Sequence, residues 1–413
     1  MANTLKFIDM VAREALSIAH EKATFIGTTD MQYDDSYAKT GAKIGSALRV
    51  RNANQYTRRT GSRVMDVQDQ NESVQTITMA TQDGVDMRFN SAELTLNTDS
   101  PQDVAAFSKR YIEPAAAVLI SGIEADYLAA STKATYNVAG TAGSAIASLV
   151  VPGAARAKLN QGLAPKDSNR NIQMDSVTMG GLVNGVAAYF APNNQIAAQY
   201  REGLVSRTSM ADYYENERVW SLTNISDVTG TTDAAALVTD GGSTVDMHST
   251  VVSPAVGCVF TIAGVYACHP ETKAAYANLQ QFTVTVTSAG AGCTVSPTIY
   301  LTGAKKNVVS STGATLLTTD FNSKTLTFQG NASTTYAQSL MYHKEAFQFV
   351  TADLPLMDDA YKCTRRTQDG LSIRVWMASD IRNDELLMRL DILYGFAAFR
   401  PEWACRMIGA AAA

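Results

Sequence analysis

Histidine is scarce, with four in 413 residues, and none lies in an HExxH or in a regular His/Cys spacing. The zinc-protease and zinc-finger patterns are therefore missing. There is no Walker-type phosphate loop, no GxGxxG after a strand and no GxSxG elbow. That removes the usual signatures of nucleotide enzymes, dinucleotide enzymes and serine hydrolases. The five cysteines, Cys258, Cys268, Cys293, Cys363 and Cys405, are odd in number and widely spaced, with no CxxC pair. Such a set is no disulfide framework and fits a reducing compartment. Charged residues make up only 18% and the formal net charge is −5, so bulk electrostatics give no reason to bind nucleic acid or an anionic membrane. Uncharged stretches such as 178–200 contain Asn, Gln, Gly and Pro and are poor membrane spans. Lys6, Asp9, Arg13 and Glu14 interrupt any apolar signal-peptide core. The expectation is a protein kept inside a cell, or inside something assembled there, with no membrane contact, no cofactor and no catalytic constellation.

Apolar residues, by contrast, are plentiful at 46%, enough for buried cores, and the length suits two or three structural units. Residues 4–22 carry Phe7, Val11, Ala15 and Ile18 at helical spacing. From 44 to 92 the segments IGSALRVRN and ESVQTITMATQDGVDMRF read as strands, the second with a turn at Gln82-Asp83-Gly84. Between them lies a polar stretch without a core face, and a two-stranded excursion of that kind is not stable alone. Residues 101–134 keep helical spacing through Pro114, which predicts a kinked helix roughly 50 Å long at 1.5 Å per residue. Residues 150–225 mix short helices and strands, with a strand ending near Pro192. From 230 to 342 there are nine charged residues against a Thr/Ser/Val/Gly-rich background, and four segments read as strands, which predicts a small all-β unit inserted in a mixed body. Near the end, LSIRVWMAS at 371–379 is expected to pair with 385–399, where Met388, Leu390, Ile392, Tyr394, Phe396 and Ala398 share one face by a period of two. The fold class is α+β.

Three constellations carry candidate chemistry. His248, Cys258, Cys268, His269 and Cys293 gather in the inserted unit, but their irregular spacing favours bystanders over metal ligands. The terminal stretch LYGFAAFRPEWACRMI places Arg400, Pro401, Glu402 and Cys405 close together. A thiol activated by a nearby cation would be a nucleophile; with no histidine in sequence nearer than His343, the reading as a strand residue is preferred. In that reading Gly395 allows a bend or bulge, Pro401 holds Arg400 extended, and Glu402 pairs with Arg400 or Arg406. Arg49, Arg51, Arg58, Arg59 and Arg63, with no acid between Asp35 and Asp66, form the one marked charge bias. They suit nucleic-acid phosphates, a solvated loop face, or acidic surface on a neighbouring copy such as Asp212, Glu215 and Glu217 or Asp358 and Asp359; the lack of a core under this excursion favours the neighbouring copy.

Four stretches together resemble the major coat proteins of tailed double-stranded DNA phages, in the Salmonella short-tailed phage branch with an inserted domain. They are VAREALSIAHEKATFIGTTDMQYDDSYAKTGAKIGSALRVRN, FSKRYIEPAAAVLISGIEADYL, GCVFTIAGVYACHPETKAAYANLQQFTVTVTS and LDILYGFAAFRPEWACRMI. The resemblance implies a Hong Kong-type capsid fold. Its parts would be an N-terminal arm at 1–40, an extended loop at 41–97, a peripheral-domain spine helix at 98–139, an axial domain at 140–228, an inserted β domain at 229–343, and return strands at 344–413. It further implies a non-enzymatic shell protein that forms hexameric and pentameric capsomers around a scaffolding protein in the host cytoplasm. Such a shell would join a portal protein, hold packaged DNA non-specifically, expand during packaging, and leave room for a decoration protein. Some relatives crosslink through a lysine on the extended loop, yet none occurs here between Lys43 and Lys109, so noncovalent overlap is expected. Two alternatives stand beside this reading: a nanocompartment shell enclosing an enzyme, and a hydrolase built on Cys405.

Overall fold

The computed structural model describes residues 12, 15, 17, 23–31, 47–61, 63–65, 67–68, 72, 74–90, 108–186, 211–226, 228–234, 238–248, 254–287, 292–357, 362–368 and 371–411. The helices are α1 (Thr24–Thr28), α2 (Glu113–Ala134), α3 (Val150–Gln161) and α4 (Ser176–Val186). Strands β1 (Ala47–Arg51), β2 (Val74–Thr78), β3 (Thr81–Asn90), β4 (Val138–Ala139), β5 (Arg170–Met174), β6 (Asp212–Glu215) and β7 (Ser221–Thr223) come from the first half. Next follow β8 (Thr229–Thr231), β9 (Gly242–Val245), β10 (Val259–Cys268), β11 (Ala275–Val286), β12 (Cys293–Ile299), β13 (Val308–Val309) and β14 (Thr325–Phe328). The chain closes with β15 (Thr335–His343), β16 (Phe347–Ala352), β17 (Lys362–Gln368), β18 (Leu371–Asp380), β19 (Glu385–Ala398) and β20 (Ala404–Ala411). Two compact units result, the first from Met1–Val50, Gln75–Tyr127 and Phe347–Ala397, the second from the rest.

In the first unit, β16, β19, β18 and β17 lie side by side, with β3 also paired to β19. The period of two in β19 sends Met388, Leu390, Ile392 and Tyr394 into the core. Phe349 and Phe396 gather around Tyr127 of α2, each 5.3 Å from its ring, with Phe25 at 4.7 Å. Asp391 is buried on the opposite face of β19, directly across from Arg374 of β18, which donates to it at 2.6 Å. A second buried carboxylate, Glu124 of α2, accepts from the Thr24 hydroxyl and the Phe25 amide, both at 3.0 Å, and so caps α1.

One expectation changes here, and two others gain detail. The turn predicted at Gln82-Asp83-Gly84 is continuous strand: β3 pairs antiparallel with β19 from Thr81 to Asn90 without a break. Gly84 faces Asp391, whose Oδ1 would lie 2.6 Å from an added Cβ, so the glycine serves a close approach rather than a turn. Residues 101–107 of the expected helix lie outside the described residues, and the helical run from Ser108 to Ala134 continues through Pro114. Pro114 is the second residue of α2, after a π-helical turn at Ser108–Ile112; that wider turn precedes the α-helical register at the point where the proline removes a backbone donor. The α-helix itself has 22 residues, about 33 Å at 1.5 Å each. Finally, Gly395 follows the last β3–β19 pair, Tyr394 with Thr81, and a Cβ on it would sit 2.5 Å from the Thr78 carbonyl oxygen, so glycine here serves a close approach. Of the helix expected at 4–22, Ala12 and Ala15 are helical and buried and Ser17 is helical; the remaining residues, and the strand expected before Pro192, lie outside the described residues.

The second unit holds two sheets. In one, β4, β20, β15, β5 and β6 are neighbours, with β7 also on β15, and α3 packs against β20. The other runs β8–β14–β10–β11–β12–β9, with β13 on β10. Its outer strands meet: Thr232, next to β8, bridges Met247, which follows β9. The Asp233 amide donates to the Asp246 carbonyl and the His248 amide to the Thr231 carbonyl, which closes the sheet into a small barrel. Its interior holds Phe260, Ile262, Phe282, Val284, Val295 and Phe328 from β10, β11, β12 and β14, with Phe321 from a 3-10 turn at Thr318–Phe321. The four strands read from sequence in this region are all present. Thr335–His343, inside the span 229–343, pairs instead with β20 and β5 of the six-stranded sheet.

Candidate functional site

The arginine-bearing excursion follows the expected outline. β1 and β2 pair with each other, and the described residues between them form no helix or strand. Arg49, Arg51, Arg58, Arg59 and Arg63 are all exposed. Arg51 lies 3.4 Å from Glu72 in the same chain, an exposed pair of little energetic weight. Arg59 donates to the carbonyl of Val64 and thereby folds the loop tip on itself. Val64, Met65 and Val67 at that tip are 76%, 80% and 79% exposed. Three large apolar side chains so open in one short loop mark a surface that needs covering. The sequence reading singled out the charges and passed over these three, although their lack of a period of two was the available signal. Of the acids suggested as partners, Asp212 and Glu215 lie in β6, the Glu217 carboxylate accepts from the Ser176 amide, and Asp358 and Asp359 lie outside the described residues.

The terminal stretch divides into two pieces. β19 ends at Ala398, Pro401–Trp403 makes a 3-10 turn, and β20 begins at Ala404 in the other unit. Arg400 stacks on Trp403, 4.1 Å from its ring centre. Burial pushes the Glu402 carboxyl up, and the charge of Arg400 works against that shift. Glu402 makes no pair with Arg406, which is committed elsewhere. Cys405 is fully buried, and burial pushes its thiol up to about 12, outweighing the nearby Lys158 and Arg406. It is a protonated hydrophobe at neutral pH rather than a nucleophile. His343, its nearest histidine in sequence, points Nε2 at Asp167, 3.0 Å away, and takes the Glu345 amide on Nδ1 at 3.3 Å. Neither ring nitrogen is directed at Cys405. His248, Cys258, Cys268, His269 and Cys293 form no metal-holding group among the described residues.

Sequence reasoning missed the most heavily bonded side chain in this stretch, Arg406. It is completely buried in β20. Nη1 donates to the Gly257 carbonyl at 2.6 Å; Nη2 donates to the Lys133 carbonyl and to the Thr283 hydroxyl, both at 3.0 Å. These acceptors come from the last turn of α2, the turn before β10, and β11. Trp220 lies between two cations, with Lys133 Nζ at 5.3 Å and Arg406 Cζ at 5.9 Å from its ring. Gly257 has φ +96°, and a Cβ there would come 2.7 Å from Trp220, so glycine is required for both backbone and space. Beside this group, the Gln281 side chain accepts from the Val138 amide at 2.9 Å and donates to the Val138 carbonyl at 3.1 Å, acting as an extra strand on β4. No local pattern announces these contacts, because each partner sits far away in sequence.

Comparison with known proteins adds the following. A family model described as P22 coat protein, gene protein 5, matches residues 228–409. No curated protein matches the chain. Among solved structures, that of Mycobacterium phage Che8 is similar at 10% identity and a TM-score of 0.47, over 92% of this chain and 90% of that one. The capsid of Cyanophage P-SCSP1u is similar at 11% identity and a TM-score of 0.43, over 89% and 84%. The mature capsid of bacteriophage PhiM1 is similar at 12% identity and a TM-score of 0.41, over 89% and 82%.

Proposed function

We propose that this chain, whose residues 228–409 belong to the P22 coat protein family, is the major capsid protein of a tailed double-stranded DNA phage and forms its icosahedral shell. The observation that carries the reading is the extent of that match. It takes in the whole closed barrel and the return strands of both the five-stranded and the six-stranded sheets. The fold proposed is the Hong Kong type, with the 229–343 region as its insertion, α2 as its spine helix and the β1–β2 excursion as its extended loop.

Assembly in this reading uses weak contacts many times over. A closed symmetric shell repeats every interface, so each contact can be modest while the particle is stable. The exposed Val64, Met65 and Val67 are what a neighbouring copy would cover, and Arg58 and Arg63 supply charge at the same tip. Hexameric and pentameric capsomers, assembly with a scaffolding protein in the host cytoplasm, a portal, non-specific packing of DNA, room for a decoration protein and expansion on packaging belong to the same proposal. They are supported by the resemblance of the chain to its family. With no lysine between Lys43 and Lys109, the shell is held without a covalent link from the loop.

Electron microscopy of the protein expressed alone and together with its neighbouring genes tests this. Closed shells are expected; soluble monomers under both conditions would refute the reading. Nuclease-protected DNA inside the particles distinguishes a phage shell from a nanocompartment, which would carry an enzyme instead. Boiling in detergent should return single chains.

A further inference from the structure

A buried cation is costly unless it is paired and hydrogen-bonded. Arg406 is wholly buried, and its three bonds go to neutral groups: two main-chain carbonyls and a hydroxyl. No ion pair to it occurs among the described residues. Its Nε finds no hydrogen-bond partner among the described residues. Burial brings the guanidinium down to about 9, still protonated at neutral pH. The compensation available is the negative end of α2, because the Lys133 carbonyl lies in the last turn of that helix. An uncompensated charge is a poor way to build a core, so its position needs another explanation.

The partners supply one. Gly257 and Thr283 belong to the barrel, Lys133 ends α2, and Arg406 itself sits in the six-stranded sheet. The barrel has its own large apolar core that does not involve Arg406. Across the joint the apolar contact is a second cluster of Val138, Val259, Tyr336 and Ile408, beside Leu222 of β7 and Trp220, which pack against the barrel core. Polar contacts join it there: the Arg406 fork, the Gln281 clasp on Val138, a bond from the Thr283 hydroxyl to the Lys133 carbonyl at 3.0 Å, and one from the Tyr276 hydroxyl to the Gln161 carbonyl at 3.4 Å. We infer that Arg406 is the positioning residue that seats the barrel on the six-stranded sheet, fixing the end of α2 and two barrel segments to one planar fork. A barrel held this way folds on its own apolar core and takes its place through directional bonds. Arg406 therefore sets where the barrel sits rather than whether it exists. This holds independently of what the assembled protein encloses.

Amide hydrogen exchange on the full-length chain tests the inference, because the Val138 amide donates across the joint to Gln281; Val138 also lies opposite Arg406 in β20, so a variant at Thr283 accompanies those at Arg406. The Phe328 amide, which donates to the Val228 carbonyl, reports the barrel, and the Asn216 amide, which donates to the Met174 carbonyl, reports the six-stranded sheet. In Arg406→Met, Val138 exchange is expected to rise at least tenfold while Phe328 and Asn216 stay within about threefold of wild type. Arg406→Lys, which keeps the charge and loses the fork, should behave the same way. Thr283→Val removes two bonds, the one accepted from Arg406 and the one donated to the Lys133 carbonyl, but leaves the rest of the fork, and should give a smaller rise with the same selectivity. It decides the matter if both Arg406 variants are insoluble. An unchanged Val138, a parallel rise at all three amides, or full recovery in Arg406→Lys would overturn the inference.

Discussion

The barrel and the loop between β1 and β2 use apolar residues in opposite ways. In the barrel, alternation along β10, β11 and β14 sends Phe260, Phe282 and Phe328 inward, with Phe260 5.8 Å and 5.4 Å from the other two rings. In the loop, Val64, Met65 and Val67 follow no strand period and stay open. A regular pattern lets the chain provide its own cover, since successive inward residues meet a facing strand. An irregular cluster has no such face and must take its cover from outside the chain. Stability in the first region is thus internal, and in the second it is deferred to assembly.

That contrast can be broken at graded points. The largest effect is expected at the barrel centre: Phe282→Ala should lose about 3–5 kcal/mol in urea unfolding, the range for deleting a buried phenylalanine. A loss below 1 kcal/mol would show that the barrel does not depend on this cluster. Gly257→Ala should cost roughly 1–3 kcal/mol through its left-handed backbone, and displace Trp220 enough to shift the tryptophan emission. An unchanged spectrum would mean that the ring moves away freely.

Smaller still is an acid effect. Asp240 accepts from the Leu301 amide at 2.8 Å and from the Thr302 hydroxyl. The Thr302 bond, followed by main-chain amides, holds its carboxyl below the usual value while partial burial opposes this. The folded value is the lower one, so its contribution is complete above the unfolded carboxylate pKa of about 3.9 and is lost as pH falls through the folded value. Asp240→Asn should therefore flatten the fall in melting temperature below about pH 4, and parallel wild-type and mutant curves would remove Asp240 from the account. Smallest for the isolated chain is the loop itself. Serine at positions 64, 65 and 67 should change folding stability by no more than about 0.5 kcal/mol, yet reduce shell yield by at least tenfold. Full yield would show that these side chains stay uncovered in the particle.

The same contrast explains what could be read in advance. β19 and the barrel strands were legible because a period of two states both the element and its buried face. Gln82-Asp83-Gly84 misled because glycine signals a turn only when nothing else needs the space, and here Asp391 does. Pro114 was recognised as a disturbance, but its placement at the start of α2 depends on where the π turn ends. The terminal stretch read as one strand because its apolar residues continue past Ala398, while the 3-10 turn at Pro401–Trp403 redirects β20 into a different sheet. Arg406 was read only as a partner for Glu402, because Lys133, Gly257 and Thr283, to which it is bonded, share no spacing with it.

The pairing of β3 with β19 also sets a schedule for synthesis. Tyr394 meets Thr81 and Glu385 meets Asn90, partners separated by roughly 300 residues; at the usual ~5–20 residues per second, β3 waits some 15–60 s for its neighbour to leave the ribosome. The barrel strands, all between Thr229 and Phe328, are complete well before that. A nascent chain would thus carry a finished barrel while β3 still has an unsatisfied edge, a period in which protection from other nascent chains matters most.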